Sequence, residues 1–345
     1  MSIYNLTGCV WEITLACCFS CSYCGSRAGK ARDNELTTQE CLGVAEQLGE
    51  LGCERVSLIG GEVFMRPDWD VIASRLRDLG IRVNIITNGF MFTKEHISRM
   101  KAAGVTSVSV SIDGTRTVHD RYRQQGSFDR ALSAIGILRE SGIPVSVIST
   151  LNSGNVDCLE KLRDILAPTG IFAWQLQACS PMGNASEGTV DHRFPFSRVI
   201  SFVEDNMYDV PFMLGIADNI GYFTPSEGYL RGNLSGRAFY RGCSAGISGI
   251  GIDSAGNVRG CESMYDEYFI EGNLRERSLR DIWEDENGFS YNRKFDPSLL
   301  SGRCAECEIG RYCGGGCRSY NWFSHKKMYE SPACARAFGT DKEVP

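Results

Sequence analysis

Short runs rich in β-branched and apolar residues alternate with stretches of helical period from residue 10 to about residue 180. Val10 to Leu15, Arg55 to Ile59, Arg82 to Thr87, Thr106 to Ile112, Val145 to Thr150 and Phe172 to Gln177 read as strands. Between them, Thr37 and Glu40 stand at capping-box spacing and open a helix that runs to about Leu51, where Gly52 ends it. Trp69 to Leu79, Lys94 to Ala103, Phe128 to Ser141 and Asn155 to Leu166 read as further helices. This alternation predicts an α/β chain built of parallel βα units, with ligands collecting at the C-terminal ends of the strands.

The rhythm changes after residue 180, first to an aromatic stretch and then, from Cys243, to cysteine- and glycine-rich sequence. The expected organisation is a first domain over residues 1–184, a bridging region over 185–240 with a helix from Phe196 to Met207, and a second domain over 241–345. In the last, "GIGIDSAGNVRGC" reads as a hairpin and "SLRDIWED" as a helix.

A chain of 345 residues with 43% apolar content can bury one large core or two unequal ones. No apolar run reaches eighteen residues and the N-terminus lacks a signal pattern, so a soluble, unexported, cytoplasmic protein without membrane contact is expected. A net charge of −6 and the lack of a basic tract argue against nucleic acid as the main partner. Of the sixteen cysteines many group into CxxC-type sets, which suits thiolate ligation in a reducing compartment better than disulfides.

The first set is Cys17, Cys21 and Cys24, a CxxxCxxC arrangement in "WEITLACCFSCSYCGS" after the first strand. A four-iron cubane takes four thiolates, so three on one loop leave one iron open to a small ligand. The alternative is a zinc knuckle, but structural zinc wants a fourth protein ligand, and Cys18 next door points elsewhere. With Tyr23 before the last cysteine, the spacing closely resembles the signature of radical S-adenosylmethionine (radical SAM) enzymes. The resemblance implies a partial (β/α)6 TIM-like barrel. It also implies that SAM fills the open iron and is cleaved by one electron to methionine and a 5′-deoxyadenosyl radical.

Further strand ends fit the same resemblance. "SLIGGEVFM" puts Gly60, Gly61 and Glu62 after strand two and resembles the family's GGE motif, which contacts the methionyl amine, although Val63 replaces the usual proline. Thr87 and Asn88 follow strand three, Ser111 and Asp113 follow strand four, and Gln177 ends strand six. In relatives such residues reach the ribose or methionine part of SAM, and Arg123, with His119 or Arg121 as substitutes, would pair with its carboxylate. Taken singly, each of these positions also suits an ordinary turn or cap.

The second set reads Cx12Gx4C, a gap, Cx2Cx5Cx3C, a gap and C: Cys243, Cys261, Cys304, Cys307, Cys313, Cys317 and Cys334. This is similar to the seven-cysteine SPASM pattern of radical SAM maturases, which implies two auxiliary [4Fe–4S] clusters and three clusters in all. Carried over, Cys243, Cys261 and Cys317 would hold auxiliary cluster I, and Cys304, Cys307, Cys313 and Cys334 auxiliary cluster II. Some relatives have another cysteine shortly before the first of the seven, where this chain has "GRAFYRG". Cluster I would then keep an open iron, take a non-cysteine ligand, or draw one from elsewhere such as Cys179. A zinc ribbon over Cys304 to Cys334 is the competing assignment.

Cys9, Cys18, Cys41, Cys53 and Cys158 read as packing residues. Cys179, Asp218 and Tyr222 are candidates for hydrogen-atom donation or acid–base work beside the substrate. The resemblance implies oxidative modification of a ribosomally made precursor peptide, with a C–C, C–O or C–S cross-link as first choice. Peptide epimerisation, Ser or Cys oxidation of the sulfatase type, and small-molecule dehydrogenation are alternatives, and an iron–sulfur electron carrier or peptide-binding scaffold is the non-enzyme one. Because the motif begins at residue 17, capture of the peptide would fall to a separate recognition protein or to the barrel and bridge surfaces. A flavodoxin- or ferredoxin-type protein would supply the electron.

Overall fold

The computed structural model describes residues 3–187, 196–220, 226–228, 230–231, 240–332, 334 and 336. Among the described residues the backbone is one sheet of ten strands in the order β10-β9-β8-β1-β2-β3-β4-β5-β6-β7. The first six, β1 (Gly8–Glu12), β2 (Arg55–Ile59), β3 (Arg82–Thr87), β4 (Ser107–Ser111), β5 (Val145–Leu151) and β6 (Ala173–Ala178), pair in parallel, each with the next. Helices α1 (Thr38–Glu50), α2 (Trp69–Asp78), α3 (Lys94–Ala103), α5 (Ser127–Glu140) and α6 (Leu159–Leu166) fall between them, as the hydrophobic period requires.

Local chemistry sets the boundaries. Thr37 and Glu40 close the expected capping box on α1, and Gly104, at φ 71°, ends α3 in the left-handed conformation. β1 stops at Glu12 rather than Leu15 because the Leu15 N–H turns away from the sheet and donates to Glu35 Oε1 at 2.6 Å. Residues 155–158 begin in a 3₁₀ turn, so α6 starts only at Leu159. A short helix unforeseen in the sequence, α4 (Arg116–Tyr122), follows β4.

The sheet runs on past the six units at both edges. β7 (Met213–Ile216) adds in parallel to β6 after α7 (Phe196–Asn206). At the other edge β8 (Gly249–Ile252) lies parallel to β1, and it forms the expected hairpin with β9 (Asn257–Arg259), beside which β10 (Gly272–Asn273) pairs. The cysteine-rich segment is therefore joined to the barrel through backbone hydrogen bonds. One continuous core, including Trp11, Trp69, Trp174, Phe269 and Phe289, spans both parts. Cys9, Cys41 and Cys53 are buried in it, as packing cysteines are. Among the described residues, no helix is long and apolar enough to cross a membrane.

Candidate active site and cluster sites

The loop that follows β1 is pinned from several directions. Cys17 N donates to Gly29 O at 2.9 Å, Ser22 N to Tyr122 O at 3.1 Å, and Asn184 holds Cys21 O and Cys24 O at 2.8 and 2.9 Å. Backbone N–H groups also point at sulfur, from Phe19 to Cys17 and from Ala28 to Cys24, both at 3.4 Å. Cys17, Cys21 and Cys24 converge on a cavity of about 230 Å³ at the C-terminal ends of the strands. The same cavity is lined by Tyr23, Gly61, Asn88, Arg123, Gln177 and Cys179, each anticipated from the sequence, together with Thr150, Met182, Asn219 and Ser263, which were not.

Gly61 is there for steric reasons: a Cβ would stand 2.4 Å from Ala16 O and 2.6 Å from Leu15 O. Its neighbour Glu62 is buried, accepting from Thr87 Oγ1 at 2.8 Å and from Asn88 N at 2.9 Å. Burial pushes the Glu62 carboxyl up, against those hydrogen bonds. Thr87 thus serves Glu62 rather than the cavity, while Asn88 spans both, its Nδ2 donating to Cys18 Sγ at 3.6 Å.

Asp113 is wholly buried and accepts from Tyr23 Oη, from Arg123 Nε and, at 2.7 Å, from Thr150 N. Burial opposes its charge, but the Arg123 guanidinium and these hydrogen bonds outweigh it and hold the carboxyl below the usual range. Arg123 is therefore committed to Asp113 through Nε while its guanidinium lines the cavity, 5.7 Å from the Tyr23 ring centre. The two substitutes considered for Arg123 are placed elsewhere. His119 is buried with Nδ1 accepting from Asp113 N, and burial lowers its pKa to about 4, so it is neutral. Arg121 donates to Gly154 O at 3.2 Å. Ser111 ends β4 half-buried and does not line the cavity, whereas Gln177 does and donates to Thr150 Oγ1 at 3.0 Å.

The remaining sets also converge. Cys243, Cys261 and Cys317, the last capping the helix Arg318–His325, line a cavity of about 240 Å³ beside β1 and β8, and Cys304, Cys307, Cys313 and Cys334 line another of about 440 Å³. Sets of three and four thiols, each around one cavity, fit iron–sulfur clusters. Burial pushes bare Cys21 and Cys261 up to about 11 and Cys313 up to about 12, so taking up iron displaces protons.

Asp218 is found away from the cavity of Cys17, Cys21 and Cys24 and lines the one around Cys243, Cys261 and Cys317. Its neighbour Asn219 faces the first cavity and is tied to Ala178 at the end of β6 by hydrogen bonds of 3.1 and 2.8 Å. Cys179 lines the first cavity and is not among the residues around Cys243, Cys261 and Cys317. Tyr222 lies outside the described residues. Thr150 carried a local signal, a polar residue at a strand end, but Asn219 and Ser263 are brought in only by the pairing of β7 and β8 with the barrel edges.

Comparison with known proteins agrees with this arrangement. The family model of the radical SAM superfamily matches residues 11–166, and that of the SPASM iron–sulfur cluster-binding domain matches residues 243–308. The chain is 30% identical to the AdoMet-dependent heme synthase of Methanosarcina barkeri, over 90% of each chain. It is 27% identical to the mycofactocin maturase MftC of Mycolicibacterium smegmatis, over 95% of this chain and 82% of the relative. Among solved structures, Streptococcus suis SuiB bound to S-adenosylmethionine superposes with a TM-score of 0.77 at 17% identity, covering 94% of this chain and 76% of that one. SuiB bound to the precursor peptide SuiA superposes with a TM-score of 0.74 at 17% identity, over 94% and 75%.

Proposed function

The chain belongs to the radical SAM superfamily and carries a SPASM iron–sulfur domain, and on that premise we propose that it oxidatively modifies a ribosomally made precursor peptide, most simply by a C–C, C–O or C–S cross-link. In this reading a cluster on Cys17, Cys21 and Cys24, with SAM on its open iron, supplies a 5′-deoxyadenosyl radical that removes a substrate hydrogen atom. Cys243, Cys261 and Cys317 hold auxiliary cluster I, and Cys304, Cys307, Cys313 and Cys334 auxiliary cluster II. Domain limits of 1–184, 185–240 and 241–345 go with this division of labour.

The chain's own residues orient and enclose the reactants. Gly61 lets the backbone approach the methionine end of SAM, and Glu62, fixed by Thr87 and Asn88, receives its ammonium. Arg123, restrained by Asp113, presents a guanidinium edge to the SAM carboxylate, and Tyr23 is held by the same carboxylate. Gln177, which lines the cavity, is the candidate for a ribose contact, whereas Ser111 lies outside the lining. Cys179, at the end of β6, is the candidate hydrogen-atom donor; burial pushes its thiol up to about 12, so it carries its proton at neutral pH.

The observation that carries this reading is the shared wall. Asn219, from the turn after β7, and Ser263, from within the cysteine-rich lobe two residues after Cys261, line the same cavity as Cys17, Cys21 and Cys24. A substrate radical formed there would share a wall with the lobe that carries the auxiliary sets, which would take its electron in an oxidation. Likeness to MftC and to the fold of peptide-bound SuiB supports a peptide as the substrate. The 30% identity to a heme synthase favours a second reading, a heme precursor in the same cavity. Anaerobic incubation with SAM, a reductant or a flavodoxin, and each candidate substrate separates the two. A precursor peptide encoded beside the gene that loses two hydrogens supports the first; turnover of a heme precursor with no peptide change supports the second.

A further inference from the structure

Cys243, Cys261 and Cys317 provide three thiols around their cavity, and a cubane iron has four corners to ligate. Among the described residues, the same cavity is lined by one carboxylate, that of Asp218. Asp218 and the three cysteines are thus walls of one space.

Asp218 is also held in place. It sits in the turn after β7, and buried Arg231 grips that turn by donating to Ile220 O at 2.8 Å, to Ala217 O at 3.4 Å and to Asp218 Oδ1 at 3.4 Å. Arg231 is in turn fixed by Glu227 Oε1 at 2.5 Å, which also accepts from Tyr240 N at 2.9 Å, and Tyr240 lines the cavity. On the other side Asn219 fastens the turn to β6. Adjacent residues thus face adjacent cavities, Asn219 the radical SAM cavity and Asp218 the three cysteines. Cys9 also lines this cavity, but its thiol is buried in the core beside Cys53 and Glu262.

We propose that Asp218 supplies the fourth ligand, an oxygen donor, to an iron–sulfur cluster on Cys243, Cys261 and Cys317. The proposal rests on the reading that these cysteines hold a cluster. A carboxylate in place of a thiolate leaves this cluster closed to substrate, which assigns it to electron transfer rather than to binding a substrate thiol. It also alters the potential through ligand type and charge.

The test isolates the cluster in the full-length chain carrying Cys17→Ala, Cys21→Ala, Cys24→Ala, Cys307→Ala and Cys313→Ala, loaded anaerobically, reduced and examined by electron paramagnetic resonance with and without cyanide. The expected result is no cyanide response in this parent. Adding Asp218→Ala produces a cyanide-dependent spectral shift, Asp218→Cys gives a new spectrum that ignores cyanide, and Cys9→Ser matches the parent. If Asp218→Ala loses the cluster, recovery of iron by Asp218→Cys but not by Asp218→Leu supports the assignment, and loss in all three overturns it. Equal cyanide responses in parent and Asp218→Ala, identical cyanide-insensitive spectra in both, or a response opened by Cys9→Ser alone, overturns it as well. No iron in the parent overturns the cluster reading itself, and with it the proposal.

Discussion

Replacing Asp113 with Asn removes a negative charge from a place where every partner is a donor: Tyr23 Oη, Arg123 Nε and Thr150 N. Asn preserves the shape but turns an amide N–H₂ toward at least one of these donors and strips the Arg123 guanidinium of its counter-charge. The side chain of Asp113 is fully buried and that of Arg123 is 12% exposed, so water does little to compensate. Breaking a buried pair by removing one partner costs about 3–5 kcal/mol. At about 2 °C per kcal/mol for a chain of this size, the thermal midpoint should fall by roughly 6–10 °C. Asp113→Asn combined with Arg123→Met should be less damaging than the two single changes added together, by ~2 kcal/mol or more, because contacting charges couple. Anaerobic scanning calorimetry on the parent, both single variants and the double variant measures this. A midpoint within 2 °C of the parent for Asp113→Asn, or strict additivity in the double variant, would refute the assignment of this pair as the keystone of the cavity wall.

Gly61→Ala should abolish SAM binding, because its Cβ meets backbone oxygens of Leu15 and Ala16 that hold the cysteine loop; isothermal titration of the reconstituted protein reads this directly. Glu62→Gln should weaken SAM binding at least tenfold, since a hydrogen bond from a charged group is worth about 1.5–3 kcal/mol, with little change in iron content. Asp113, paired with Arg123, and Asp253, paired with Arg259 at 2.8 Å, both have folded pKa values below their unfolded ones. Each contributes stability that is complete above about pH 3.9 and is lost as pH falls through the folded value. Midpoints of the Asp113→Asn variant and the parent should therefore converge in acid below pH 4. Cys307→Ala with Cys313→Ala should remove about four irons per chain and leave reductive SAM cleavage in place, as iron analysis and 5′-deoxyadenosine release would register.

Where a signal is local, the sequence carried it. β2, β3 and α3 begin and end at the residues their periodicity indicates, and the capping box of α1 is made by Thr37 and Glu40. Each grouping of cysteines that the family resemblance implied also meets at a single cavity. Legibility fails where tertiary structure decides. "RTVHDRY" has no apolar stripe, and α4 exists because the chain must turn after β4 with His119 buried beneath Asp113. The short run Met213–Ile216 becomes a strand only through its pairing with β6. That pairing separates Asp218 from Asn219 and sends each to a different cavity, which no spacing rule anticipates. Asp113 and Arg123, read as two SAM contacts, turn out to be partners of each other.

Electron paramagnetic resonance of the anaerobically reduced full-length protein, recorded before and after adding SAM, tests the central claim most directly. A cluster on Cys17, Cys21 and Cys24 with one open iron predicts a signal that shifts on SAM binding, disappears in the Cys17→Ala, Cys21→Ala, Cys24→Ala variant, and accompanies release of 5′-deoxyadenosine. Zinc in place of iron at that loop, or a signal indifferent to SAM, would contradict the account.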